Sequence, residues 1–127
     1  MQIEIENINN RSFITSFGKD FISIDNHKYF SDVILYNSQV NPIKETLPVF
    51  SKSNLSFIEN ILNNNNDIDI ILFGTGETLK EIPSFFQKLL IKKNKKYEVM
   101  ISTAAYRTYN ILLSEGRSVV SVLKVLI

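Results

Sequence analysis

The residues best placed to do chemistry fall in two short segments of the C-terminal half. The first is Gly74-Thr75-Gly76, directly after the apolar run Ile70 to Phe73. Glycines at the carboxyl end of a buried strand let backbone N–H groups close on an anion. A dinucleotide fingerprint would need a third Gly where Leu79 stands, and a phosphate-binding P-loop would need Gly-Lys-Ser/Thr. Neither is present. Two readings stay open: a tight turn that needs positive φ, or a surface for a non-nucleotide ligand or partner. The second segment runs from Thr103 to Asn110. On a helix, Thr103, Arg107 and Asn110 fall near one face. Arg107 would reach back toward the helix start and offer a fork of donors to a carboxylate or phosphate. The alternative is that Arg107 pairs internally and, with Asn110, fixes the helix. Arg117, in Glu115-Gly116-Arg117, completes the candidate set of ligand- or partner-binding residues: Gly74, Thr75, Gly76, Thr103, Arg107, Asn110 and Arg117. Its alternative is a helix end with Gly116 as the cap and the charges solvated or paired.

The remaining chemistry-bearing types are sparse. The chain has no Cys and one His. Disulfides, thiolate metal sites and Cys nucleophiles are excluded, and a catalytic triad would have to use His27. His27 lies in an expected turn with no visible partner. Asp67 and Asp69, two apart on a strand, could share a face, but at the solvated start of a strand they read as polar punctuation. No catalytic residue, metal site or cofactor is assigned. Lys92-Lys93 and Lys95-Lys96 form the basic cluster, without the aromatic interleaving of a nucleic-acid platform. Glu77 is the one carboxylate close enough in sequence to the glycine loop to serve as a base.

The elements that must position these residues can be read from periodicity. Ile3, Ile5 and Ile8 open a run of short strands, followed by Phe13 to Phe17, Phe21 to Ile24 and Val33 to Tyr36. Turns are expected at Gly18-Lys19-Asp20 and Asp25 to Lys28. Asn41-Pro42 and Leu47-Pro48 mark an irregular connection. Leu55, Ile58, Ile61 and Leu62 recur at helical spacing, with Ser53 as N-cap and the Asn63–Asn66 run as terminator. Asp67 to Phe73 reads as a buried parallel strand. Pro83 fits the first turn of a helix that points Phe86, Leu89 and Leu90 inward. Lys95-Lys96 reads as a loop, Tyr97 to Ile101 as a strand, and Thr103 as the cap of a helix ending at Glu115 with Gly116 beyond it. Ser118 to Ile127 is the last strand. Helices alternating with strands predict parallel pairs and right-handed crossovers. The fold expected is α/β. It is a single three-layer domain spanning residues 1–127, with a mixed central β-sheet, helices on both sides and an N-terminal antiparallel β portion.

Length and charge bound the function. At 127 residues the chain can bury one real core. Its net charge of +1 supplies no bulk field toward nucleic acid or anionic lipid. The acidic N-terminus lacks the basic and apolar regions of a secretory signal. No apolar run approaches the roughly 20 residues that span a bilayer. A cytoplasmic protein with no transmembrane segment is therefore expected, peripheral to the inner membrane only through partners.

The ordered string Leu72-Phe73-Gly74-Thr75-Gly76, Pro83, Val99 to Ala105, Arg107 to Leu113 and Glu115-Gly116-Arg117 resembles the Mth938-like domain family. The family includes a mitochondrial complex I assembly factor, and the resemblance covers roughly residues 70–126. It implies the same fold and places the family's Gly-Thr-Gly, Arg-Thr-Tyr-Asn and Glu-Gly-Arg signatures on the candidate residues. Family members often carry Cys where Tyr106 stands, which argues against thiol chemistry here. The tryptophan that many members have is also missing. The resemblance implies a non-catalytic protein that assists assembly of respiratory NADH dehydrogenase (complex I) through protein–protein contacts. Its partners would be complex I subunits or assembly proteins, with Tyr106, Arg107 and Tyr109 as the anchor. The alternative from the residues is a small anionic-ligand-binding protein or enzyme, with its site between the Gly74–Gly76 loop and Thr103/Arg107. A homo-oligomer paired through N-terminal strand edges is a third reading.

Overall fold

A computed structural model describes residues 12–36 and 39–127. The expected strand at Ile3 to Ile8 lies outside the described residues. The chain runs β1 (Ile14–Phe17), β2 (Ile22–Ile24), β3 (His27–Tyr29), β4 (Asp32–Tyr36), β5 (Gln39–Ile43), α1 (Lys52–Asn64), β6 (Ile70–Gly74), α2 (Ser84–Lys92), β7 (Lys96–Met100), α3 (Ser102–Ser114) and β8 (Val119–Leu123). Strands β1-β2-β3 form a small antiparallel sheet, and the main sheet has the order β5-β4-β8-β6-β7. Strand β6 pairs in parallel with β7 and β8, while β4 pairs antiparallel with β8 and β5. The expected mixed sheet and N-terminal antiparallel portion are both present.

Alternation along the strands builds the layers. Ile71 and Phe73 of β6, Val120 and Val122 of β8, and Ile34 of β4 pack with Ile58, Ile61 and Leu62 of α1 and Phe86 and Leu90 of α2. Ile70, Leu72, Val119, Leu123, Val33 and Leu35 point the other way. They meet Ala105, Tyr106, Tyr109 and Leu113 of α3, and Ile14, Ile22 and Ile24 of the small sheet. Helices therefore cover both faces, with α3 and the small sheet together on one of them.

Several boundaries differ from those read in the sequence. Asp25 and Asn26 alone make the β2–β3 turn, both with positive φ, so His27 and Lys28 already belong to β3. A two-residue turn of that kind matches strand twist and leaves no room for a longer loop. Asn41-Pro42 lies inside β5 rather than in irregular chain. Strand β5 is an edge, where a proline without N–H is tolerated. Ser51, not Ser53, caps α1, accepting from the Asn54 N–H at 3.1 Å. Asp67 and Asp69 precede β6 instead of lying on it. Lys96 opens β7, and Ile101 occupies the N-cap position of α3. Thr103 is then the second helical residue rather than the cap. The last strand stops at Leu123. Gly116 follows α3 as expected: with φ of 77°, it donates to the Leu113 carbonyl while Arg117 N–H donates to Leu112, a Schellman closure.

Candidate functional site

The carboxyl ends of β6, β7 and β8 lie side by side, with Gly74 in register with both Met100 and Leu123. The Gly74–Gly76 loop and the start of α3 therefore meet, as parallel neighbours must. They meet through Ser102, a residue that sequence reasoning passed over. The Gly76 N–H donates to Ser102 Oγ at 2.7 Å, and Ser102 Oγ donates to the Lys124 carbonyl at 2.6 Å. Tyr106 Oη donates to the same carbonyl at 2.8 Å. The Ser102 N–H returns to the Gly76 carbonyl, and the Thr75 N–H donates to Met100. Thr75 is buried. Its hydroxyl donates to the Thr78 carbonyl and accepts from the Lys80 N–H, folding the loop over itself. The backbone donors Thr75 N–H and Gly76 N–H, which would cradle an anion, are thus bonded within the chain.

The glycines have separate reasons. A Cβ on Gly74 would lie 2.9 Å from Ala105 Cβ and 3.2 Å from Ser102 Oγ, so α3 packs directly on that backbone. Gly76 has φ of 98°, which a residue with a side chain rarely adopts.

Below this knot lies an ion pair that the sequence did not signal. Lys124 Nζ sits 3.2 Å from Asp32 Oδ2, and Asp32 Oδ1 accepts the buried Val125 N–H at 2.8 Å. Lys124 also donates to the Leu47 carbonyl. A cavity of about 210 Å³ opens beside the pair, lined by Asp20, Ser31, Asp32, Lys44 and Lys124 among others. Burial of the Tyr106 hydroxyl pushes its pKa up to about 12. The nearby Asp32 carboxylate adds to the rise, and the Ser102 hydroxyl opposes it.

The other candidates separate. Asn110 is turned to the small sheet, where it accepts the Ile14 N–H at 2.9 Å and donates to the Ile14 carbonyl at 2.7 Å. Arg117 Nε lies 3.4 Å from Asp69 Oδ2. The Ser118 N–H, with Arg117 beside it, holds the Asp69 carboxyl below the usual carboxylate range. Tyr106 and Tyr109 are each 1% exposed and cannot anchor a partner. The Tyr109 hydroxyl donates to the Ser12 carbonyl. Arg107 is exposed on α3, one turn after half-buried Thr103 and one turn before Ile111, which is 56% exposed. It makes no hydrogen bond or ion pair among the described residues. His27 is exposed on edge strand β3 against the Tyr29 ring, and Glu77 is exposed on the glycine loop. Among the described residues no His/Asp/Glu group is arranged to hold a metal ion.

Comparison with known proteins agrees with this architecture. A family model described as "Protein of unknown function (DUF498/DUF598)" matches residues 14–124. The chain is 29% identical over 119 residues to the "13 kDa major membrane protein" of Francisella tularensis, covering 94% of this chain and 95% of that protein. A crystal structure described as an outer membrane protein from Bartonella henselae superposes with a TM-score of 0.80 at 28% identity, covering 91% of this chain and 96% of that one. A Bordetella pertussis protein described as a Mth938-like domain shares the fold, with a TM-score of 0.73 at 21% identity over 90% of this chain and 85% of that one. No helix among the described residues is long and apolar enough to cross a membrane.

Proposed function

The chain belongs to the DUF498/DUF598 family of Mth938-like proteins, and from its own geometry we propose a non-catalytic protein that works through protein–protein contacts. The carrying observation is Arg107. Its guanidinium is exposed and unpartnered among the described residues, beside exposed Ile111, while Ser102, Thr75 and Gly76 spend their polar groups inside the fold. Arginine is enriched among the residues that carry most of the energy of protein contacts. The names of the Francisella and Bartonella relatives support work beside a membrane. The partner suggested by the Mth938-like resemblance is respiratory NADH dehydrogenase, as subunits or assembly proteins.

The test is affinity capture of the tagged protein from its own host. Recovery of NADH dehydrogenase subunits, lost in Arg107→Glu, is the expected result. Recovery of the protein alone, or capture indifferent to Arg107→Glu, overturns the reading. A small-anion site at Thr103 and Arg107 would appear instead as stabilisation by inorganic phosphate that the same substitution removes.

A further inference from the structure

We propose that the outward face of α2 docks on an anionic lipid surface. Phe86, Leu89 and Leu90 are the buried residues of this helix. With 3.6 residues per turn, Lys88 and Lys92 then lie on the outward side of the helix, both exposed. Ile91, 71% exposed, flanks them on one side, and Phe85, 40% exposed, on the other. No acidic residue occurs between Glu81 and Glu98, a stretch that holds five lysines. Lys93 donates to the Asn63 side chain and Lys95 to the Ile68 carbonyl. Lys95 also lies within electrostatic reach of the Asp69 carboxylate, so the charge of this face is carried by exposed Lys88 and Lys92 on the helix itself.

The chemistry of this face selects its occupant. Helix α2 carries no acidic residue that would repel an anionic surface. A bilayer surface is laterally uniform. It asks only for positive charge and for apolar side chains that enter the headgroup layer, which lysine stems assist by keeping their ammonium groups at the surface. The near-neutral whole chain makes the charge local to this helix. Arg107 lies on α3, across the main sheet, so lipid and protein partner do not compete for one face.

This inference rests on the proposed function only in placing the protein beside a membrane. Its test uses purified full chain without a partner, so the two fail separately. The protein is sedimented with vesicles of phosphatidylcholine, alone or with about one-third phosphatidylglycerol. Binding is expected to the anionic vesicles only, and to fall as salt rises. Lys88→Glu/Lys92→Glu should weaken it by about tenfold or more. Phe85→Ser and Ile91→Ser should weaken it with charge unchanged. Lys88→Gln/Lys92→Gln is the milder pair if the reversal disturbs folding, read by circular dichroism. Equal binding to both vesicle types overturns the proposal, as does absence of binding to anionic vesicles or binding insensitive to these substitutions. Loss of an acidic protein partner from the α2 variants, without vesicle binding by the parent, overturns it too.

Discussion

Asn110 holds Ile14 by both of its backbone polar groups, across 96 residues of sequence. The carboxamide takes the place of a neighbouring strand, and through it α3 fixes the edge of the small sheet. The Arg-Thr-Tyr-Asn signature therefore has divided duties. Arg107 faces solvent, while Tyr109 and Asn110 tie the N-terminal segment down through Ser12 and Ile14.

Asn110→Ala should cost about 2 kcal/mol, roughly 1 for each half-buried hydrogen bond. Urea denaturation reads the total, and hydrogen exchange at the Ile14 amide reads the location. Asn110→Asp should be no milder, because its carboxylate would face the Ile14 carbonyl. Unchanged exchange at Ile14 would refute this role for Asn110.

Two glycine substitutions separate close approach from backbone strain. Gly74→Ala places a methyl group against Ala105 Cβ, which has no rotamer to yield, and should cost about 2 kcal/mol through displacement of α3. Gly116→Ala meets open space and should cost about 1 kcal/mol, for its positive φ alone. Thermal melts of the two variants give the order, and the reverse order would contradict the packing argument.

Ser102 and Ser121 are both fully buried, yet only one is bonded. Ser102→Ala breaks the link from Gly76 to Lys124 and should cost about 1–3 kcal/mol. Ser121 Oγ has no partner among the described residues, so Ser121→Ala should be neutral or stabilising by up to about 1 kcal/mol. Chemical denaturation of the pair decides it; a clear loss at Ser121→Ala would reveal a hydrogen bond there.

Tyr106 predicts an alkaline limit. Its folded pKa of about 12 lies above the ordinary tyrosine value of 10.0, so folding favours the protonated hydroxyl. Stability is fully present below about pH 10. It falls between about 10 and 12, where the unfolded chain has lost a proton that the folded chain still holds. Tyr106→Phe should flatten this part of the stability–pH curve while lowering neutral-pH stability through the lost bond to Lys124. Equal alkaline slopes in parent and variant would count against it, as would phenolate absorbance showing every tyrosine titrating together.

Most of the fold was legible because periodicity and punctuation are local. Leu55 to Leu62 showed a helix face, Ile70 to Phe73 a doubly covered strand, and Gly116 a left-handed helix end. The misread boundaries were set by pairing. Pro42 joined a strand because β4 offered an edge, and His27 and Lys28 did so because they pair with Ile24 and Ser23 of β2. Asp69 fell outside β6 as the partner of Arg117 and Ser118.

The candidate site divides in the same way. From the sequence alone came the family signature, the meeting of the glycine loop with the start of α3, and the shared face of Thr103, Arg107 and Asn110. Only the tertiary structure decided which of those groups are spent. Ser102 takes the Gly76 N–H, Tyr106 is buried on the Lys124 carbonyl, and Asn110 is committed to Ile14, leaving Arg107 outward. A hydrogen bond between residues tens of positions apart leaves no trace in spacing. It depends on which strand lies beside which, and that was settled when β8 took its place between β4 and β6.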